Sequence, residues 1–414
     1  PASFMTTFGQ DDSHKVAIDS QGRVVVAATL EGQLNGGLAR GIRVFRLTAQ
    51  GLPDPGFAGG GDVALPIVGD AYLGGLAIDA QDRPVIAGTV GDLGDITSSQ
   101  IALVRLTSTG QPDVSFSGDG QLVTGLPATS AAPLVSGLTI DTAGGLLVAG
   151  TAVSGPGPGF TKTFYVSRFA PDGGQDGGYG AGGWRQIGLS AAGVRELSAI
   201  APVPSGGAVV AGFDDNWFVT RLTAAGALDD QFDGDGTATS VLGKGPLDSV
   251  ASYGLTVDPQ GRPIAVGQFT SGGARWAIAR WTDTGAPDAS FGTGSPAPGV
   301  VLGPDDAFRL NDVDVQGDGK LVVAGTASRA DLTGNAIAVA RYTATGGLDP
   351  TFAPAAATAG IALVEAGTTA LGSDLALTAA GATVAGFRRA NVAPLGLRDL
   401  PVVARLLRDG SVRD

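Results

Sequence analysis

The sequence predicts an all-β protein, a seven-bladed β-propeller of four-stranded antiparallel blades closed by its N-terminal strand. Three observations predict it: one turn recurs seven times at a spacing near 60 residues, each copy follows the same hairpin pattern, and the composition suits strands and turns. Of 414 residues, 68 are Gly and only 16% are charged, with Val, Ile, Leu and Ala plentiful. This excludes a disordered chain and a helical bundle rich in Glu and Lys.

The turn reads Arg, then Gly five residues on, Asp three later, and an aromatic residue three beyond that. Its copies are "RLTAQGLPDPGF" from Arg46, "RLTSTGQPDVSF" from Arg105, "RFAPDGGQDGGY" from Arg168, "RLTAAGALDDQF" from Arg221, "RWTDTGAPDASF" from Arg280 and "RYTATGGLDPTF" from Arg341. A seventh, "RLLRDGSVRD" from Arg405, runs out at the C-terminus before any aromatic residue. Upstream of each stand two short apolar runs joined by a tight Gly/Asp/Gln turn, as in "LAIDAQDRPVIAG", which is a β-hairpin signature.

Each unit therefore holds four strands, A to D. In the second they are "LAIDA", "RPVIAG", "IALVRL" and "QLVTG". A four-stranded unit cannot bury both faces alone, and seven stacked radially leave no long exposed edge. The seventh copy lacks a strand D, and "PASFMTTFG" contains an "SF" like that before Gly292, so residues 1–9 are expected to supply it. Residues 1–414 then form a single domain.

With these motifs the chain resembles the delta-60 repeat found in large bacterial surface and secreted proteins, and more loosely the NHL-type propeller repeat. The resemblance covers almost the whole chain. It implies the propeller fold and an extracellular or cell-surface setting, and it implies no common catalytic set. The opening "PASFMTTFGQ" lacks a basic region followed by an apolar one, so a secretion signal would lie outside this chain.

The recurring residues read as architecture. Gly supplies a positive-φ turn position, Asp caps backbone amides and pairs with Arg, and the ring packs between blades. A residue required in every blade is required by blade geometry. Two turns carry extra acid, and in "DDQFDGDG" the residues Asp229, Asp233 and Asp235 offer a calcium reading, although no distal acid completes the loop.

Binding is expected at the other end of the blades, where the B–C and D–A connections are long and irregular. These include "TLEGQLNGGLARG" in the first unit and "FRRANVAPLGLRD" in the seventh. Acids recur in the D–A segments: Asp11 and Asp12, Asp70, Glu196, Asp248, Asp305 and Asp306, and Asp374, with Arg195 and Arg309 beside some of them. They form a candidate ligand set together with Trp217, and a solvated loop charge is the plain alternative.

Catalytic signatures are sparse. The one His is His14, there is no Cys, and no Gly-x-Ser-x-Gly elbow occurs. A net charge of −13 with only four Lys argues against nucleic acid, and no apolar run spans a membrane. The reading favoured is a non-catalytic binding or structural module, monomeric or part of a larger protein, with a protein or glycan partner at the B–C/D–A end. The alternative is a carboxylate-based hydrolase or lyase, since two acids brought together across a channel leave no sequence motif.

Overall fold

The structure, a computed structural model, describes residues 2–3, 14–34, 37–91, 96–127, 131–155, 161–188, 196–213, 216–240, 242, 249–271, 273–293, 297–305, 307–328, 334–364, 369–392 and 396–413. Almost all regular structure is strand, arranged as seven four-stranded antiparallel sheets. Such sheets are the blades of a seven-bladed β-propeller. Strands A to D of the first sheet are His14–Ile18, Val24–Leu34, Gly37–Leu47 and Asp62–Ala64; those of the second are Asp70–Ile78, Pro84–Gly91, Gln100–Arg105 and Gln121–Thr124. The third holds Ala132–Ile140, Leu146–Ser154, Thr161–Phe169 and Trp184–Ile187, and the fourth Glu196–Pro202, Ala208–Phe213, Trp217–Leu222 and Thr237–Ser240. The fifth holds Ser249–Val257, Pro263–Thr270, Ala274–Arg280 and Val300–Asp305, and the sixth Ala307–Val315, Leu321–Ser328, Asn335–Tyr342 and Ile361–Val364. In the seventh, Thr369–Thr378, Gly381–Val392 and Gly396–Leu407 are joined by Ala2–Ser3 as strand D, with Ala2 opposite Val403 and Ser3 opposite Val402. Residues 4–9 of the expected closing segment lie outside the described residues.

Contacts group the chain into two compact units. One comprises Ala17–Val210 with Arg221–Asp229, and the other Pro1–Val16 with Ala211–Thr220 and Asp230–Asp414. Each has the same internal logic. In the first unit, strand A of sheet three packs against strands A of sheets two and four; in the second, strand A of sheet six packs against those of sheets five and seven. Apolar side chains fill the gaps between neighbouring sheets, and a turn aromatic sits in each such core: Phe57, Phe116, Phe291 and Phe352. All six recurring rings, including Tyr179 and Phe232, are at most 2% exposed.

The repeated turn joins one sheet to the next. The residue after the aromatic adopts the left-handed region in all six copies, at Ala58, Ser117, Gly180, Asp233, Gly292 and Ala353, with φ between 46° and 71°. Four of these are not Gly, a conformation disfavoured by about 1 kcal/mol or more for each. In compensation each backbone N–H donates to a carbonyl in the following repeat's turn, from Ala58 to Thr109 through Ala353 to Asp409, at 2.5 to 2.9 Å.

The turn Gly is fixed twice over. Its φ lies between 78° and 94° in every copy, and from the second copy onward the preceding repeat lies against its Cα. A Cβ on Gly110, Gly173, Gly226, Gly346 or Gly410 would stand 2.8 to 3.1 Å from the ring of Phe57, Phe116, Tyr179, Phe291 or Phe352 respectively. On Gly285 it would meet the Asp233 backbone at 2.8 Å. Gly51, in the first copy, has open space there.

Two sequence expectations change. The B–C segments of the first and seventh units are not irregular loops but continuations of the hairpin, paired out to Leu34 opposite Gly37 and Val392 opposite Gly396. Strand A also begins earlier than the hairpin motif suggests, so Asp70, Glu196 and Asp374 stand on strands and not in connecting loops. The apolar alternation is broken there by a one-residue register shift, visible at Gly74, Ser136, Tyr253, Asn311 and Ser373, which hides the period-2 signal.

The packing of ring on Gly gives a testable coupling. Phe116→Ala is expected to lower stability by about 3 to 5 kcal/mol in urea denaturation, and Gly173→Ala by about 1 to 3 kcal/mol through its positive φ and its clash with the ring. The double variant should lose less than the sum of the two, by about 1 kcal/mol. Strict additivity would show that the ring does not dictate the Gly.

Candidate functional site

In the recurring turn, the polar residues face one another. Arg46, Arg105, Arg221, Arg280 and Arg341 each place Nε 2.7 to 2.8 Å from the Asp eight residues on. In four of them the guanidinium lies 4.4 to 4.9 Å from the centroid of the turn's own aromatic ring. A terminal nitrogen reaches a carbonyl of the next repeat: Ser108 from Arg46, Pro171 from Arg105, Ala344 from Arg280 and Arg408 from Arg341. The Arg therefore ties its own turn to the following one, a step further than the intrablade pairing expected from spacing.

Burial pushes the carboxyls of Asp54, Asp113, Asp288 and Asp349 upward. Hydrogen bonds from the residue two positions on, together with the Arg, outweigh it and hold all four below the usual carboxylate range. The stability they contribute is present above about pH 3.8 and is lost as pH falls through their lowered values. Arg168 departs from the pattern by binding Asp141 at 2.8 Å as well as Asp176. Gly145 is the reason, since a Cβ there would collide with the Arg168 guanidinium at 2.5 Å.

The residues predicted to bind a ligand have varied fates. Asp12, Asp248 and Asp306 lie outside the described residues. Asp70 accepts the Arg40 backbone N–H at 2.9 Å, while the Arg40 guanidinium bonds the Tyr72 hydroxyl, so this acid secures the base of the first sheet's long hairpin. Glu196 opens strand A of sheet four and is exposed. Trp217 has 0% exposure and belongs to the core, so its ring offers no surface to a ligand. Asp229 is engaged by Arg221, Asp235 accepts the Thr237 N–H at 2.9 Å, and Asp233 is exposed in the left-handed turn. Among the described residues no three His or acidic side chains converge to hold a metal ion. His14 is buried, with its ring stacked on Phe387 at 5.9 Å.

One charged constellation does form, inside the second unit. Four residues before the opening of each A–B turn stands an equivalent position on strand A: Lys15, Gly75, Gly137, Ala199, Gly254, Asp312 and Asp374. Small residues hold it in four sheets because the next strand A leaves no room in three of them. A Cβ would meet Leu138 at 2.6 Å from Gly75, Ile200 at 2.9 Å from Gly137, and the Asp312 Cα at 2.7 Å from Gly254. The three charged residues break this rule together. Asp312 Oδ2 accepts the Leu375 N–H at 2.9 Å, Asp374 Oδ2 accepts the Val16 N–H at 2.6 Å, and Lys15 Nζ donates to Asp374 Oδ1 at 3.1 Å.

Burial raises the Asp312 carboxyl well above its ordinary value, and the negative charge of Asp374 raises it further. Burial also raises Asp374, against the opposing pull of Lys15. The Lys15 ammonium is raised by Asp374, with burial working against it. In the chain Asp312, Asp374, Lys15 burial thus raises both carboxyls, and Asp374 pairs with the Lys15 ammonium. Repeat-to-repeat alignment would have found it, because it is the position where the repeat abandons small residues.

With the fold and this geometry established, comparison places the chain among propellers. A family model described as a domain of unknown function (DUF5122) β-propeller matches residues 85–116 and 316–352. No curated protein matches the sequence. Among solved structures, the polysaccharide lyase Uly1 is similar over 95% of this chain and 89% of its own, at 9% identity and a TM-score of 0.52. The β-propeller domain of the Trilobed protease from Pyrococcus furiosus is similar over 83% of this chain and 82% of its own, at 8% identity and a TM-score of 0.41. Such low identities speak to the fold alone. Among the described residues no helix is long and apolar enough to cross a membrane.

The raised carboxyl sets a pH dependence of definite sign. A folded-state value above 3.8 means the folded protein holds a proton that the unfolded chain releases, so stability falls as pH rises from 3.8 to the folded value. Each pH unit crossed removes up to about 1.4 kcal/mol. Asp312→Asn, a neutral isostere, is expected to flatten that decline, so that its melting temperature gains on the parent protein between pH 4 and the plateau. A difference independent of pH would mean that Asp312 is ionised in the fold.

Proposed function

We propose that this propeller is a non-catalytic binding module that engages a protein or glycan partner at the B–C/D–A end of its blades. The carrying observation is the unequal treatment of the two ends of the sheets. At the A–B/C–D end, turns of nearly fixed length commit Arg, Asp, aromatic ring and backbone N–H to the neighbouring repeat. At the other end, the B–C hairpins of sheets one and seven run to strands of 11 and 12 residues, against six to nine elsewhere. We take this extra strand length, which lies beyond the repeated turns, as the place where a partner is met.

The resemblance to delta-60 repeats supports an extracellular or cell-surface setting. No cofactor enters this reading. The alternative, a carboxylate-based hydrolase or lyase, draws on the Asp312 and Asp374 pair. Against it, three of the four carboxylate oxygens already accept the Leu375 N–H, the Val16 N–H and the Lys15 ammonium. A general acid or base must reach the reacting proton directly or through one water.

Shortening both hairpins, by replacing 32–39 and 389–399 with two-residue turns, tests the proposal. The expected outcome is loss of retention in affinity electrophoresis against neutral and acidic polysaccharides and in capture of partner proteins, with the melting temperature held within a few degrees. Release of reducing ends or of unsaturated uronates by the parent protein, abolished in Asp374→Asn, would overturn the non-catalytic assignment.

A further inference from the structure

A cleft of about 760 Å³ opens between sheets six and seven at the A–B/C–D end, beside the base of the seventh sheet's long hairpin. Its walls include Gln316, Asp318, Lys320, Thr378, Arg408 and Asp409, all within one compact unit. The volume falls in the range of small-molecule sites.

The A–B turns on either side of the cleft do not clasp each other as those of sheets one and two do. Between sheets one and two the A–B turns clasp each other, with the Ser20 N–H and hydroxyl donating to Asp82 at 2.9 and 2.7 Å. Asp82 holds a left-handed conformation, φ 57°, to make that contact. In sheet six the place of Ser20 is taken by Gly317, whose added Cβ would meet nothing within 4 Å. In sheet seven the turn is one residue shorter, since Leu377 pairs with Ala382 whereas Ile78 pairs with Pro84. The shortened turn, Thr378 to Gly381, also lacks the basic side chain that Arg23, Arg83, Arg262 and Lys320 provide in other repeats. Neither half of the clasp is present, and the space stays open.

The lining has a definite chemistry. Arg341 at its back is fully engaged, by Asp349 at 2.8 Å, Thr351 at 2.9 Å and the Arg408 carbonyl. Lys320 Nζ lies 3.0 Å from Asp349. Arg408 is exposed and anchored through Nε to the Ala379 carbonyl, and among the described residues its terminal nitrogens have no hydrogen-bond partner. An anchored guanidinium with a free fork suits a carboxylate. Gln316 and Asp318 add an amide and a carboxylate suited to hydroxyl groups. Among the described residues no aromatic side chain lines the cleft, which disfavours a nucleobase or other flat ring.

We propose that this cleft binds a small hydroxylated carboxylate of sugar-acid size, its carboxylate on Arg408 with Lys320 in support and its hydroxyls toward Gln316 and Asp318. The site is separate from the partner surface proposed above, and neither depends on the other.

Titration calorimetry of the full chain with glucuronate, glucose and inorganic phosphate tests the assignment. Glucuronate is expected to bind saturably with a Kd on the order of 1 mM, and glucose at least about tenfold more weakly. Arg408→Ala, a change at an exposed side chain, should weaken glucuronate by about tenfold. Ala379→Trp, which fills the cleft from an exposed position, should abolish binding while leaving the melting temperature close to that of the parent. Absence of saturable glucuronate binding, or affinity unchanged in both variants, overturns the site. Phosphate binding as tightly as glucuronate overturns the ligand class and leaves a bare anion site.

Discussion

The contact between each turn and the turn that follows it governs the rest of this structure. One backbone N–H, held in a left-handed conformation, reaches across to the next repeat, while the Arg beside it bonds both its own Asp and the neighbouring carbonyl. The aromatic ring closes the same gap from below and presses on the neighbour's Gly. Three kinds of interaction therefore converge on a few residues, so a change at any one is felt by the others. Where the seventh copy replaces Asp by Arg413, the backbone bond from Arg413 to the Arg405 carbonyl persists at 2.7 Å. Turn geometry thus survives loss of the carboxylate.

Close packing at the other edge of each sheet imposes a second constraint. Strand A of one sheet lies so near the next that Gly is demanded at one position in three of the sheets, and the carboxylates of Asp312 and Asp374 stand there where a backbone N–H of the next sheet receives them. Asp312 and Asp374 each satisfy this with one oxygen, and Lys15 completes the series. Burial and the neighbouring Asp374 charge together push the Asp312 carboxyl upward, and burial raises Asp374 against the pull of Lys15. The arrangement fastens three neighbouring strands more firmly than van der Waals contact alone and makes that fastening sensitive to pH.

These two constraints leave freedom in particular places. The B–C hairpins lie beyond the repeated contacts and can lengthen without disturbing them, as sheets one and seven do. The A–B turns are less free, and when one of them shortens and loses its side chains, as at Thr378 to Gly381, the neighbouring sheet does not collapse onto it, because the clasp through Arg341 and the Arg408 carbonyl still sets the spacing. A cleft is the result. Variation that the repeat tolerates is thereby turned into surface with its own chemistry.

Repetition made the fold legible in the sequence: seven copies of one spacing can arise only if each unit meets the same neighbour, and the buried ring, the turn Gly and the Arg to Asp pairing all follow from that. Composition and alternation likewise placed strands B and C, whose apolar residues are buried on both sides. Strand A was harder to read, since its register shift breaks the alternation and its acids resemble loop charge, so Asp70 and Asp374 were expected in connections. The long hairpins read as loops because polar and Gly-rich strands carry no hydrophobic pattern. Trp217 read as a ligand-binding candidate and stands in the core, because burial depends on what packs over a strand and not on its neighbours in sequence. The meeting of Asp312, Asp374 and Lys15, up to 359 residues apart, was decided by tertiary structure alone, for only the stacking of sheets brings residues so distant in sequence within hydrogen-bonding range.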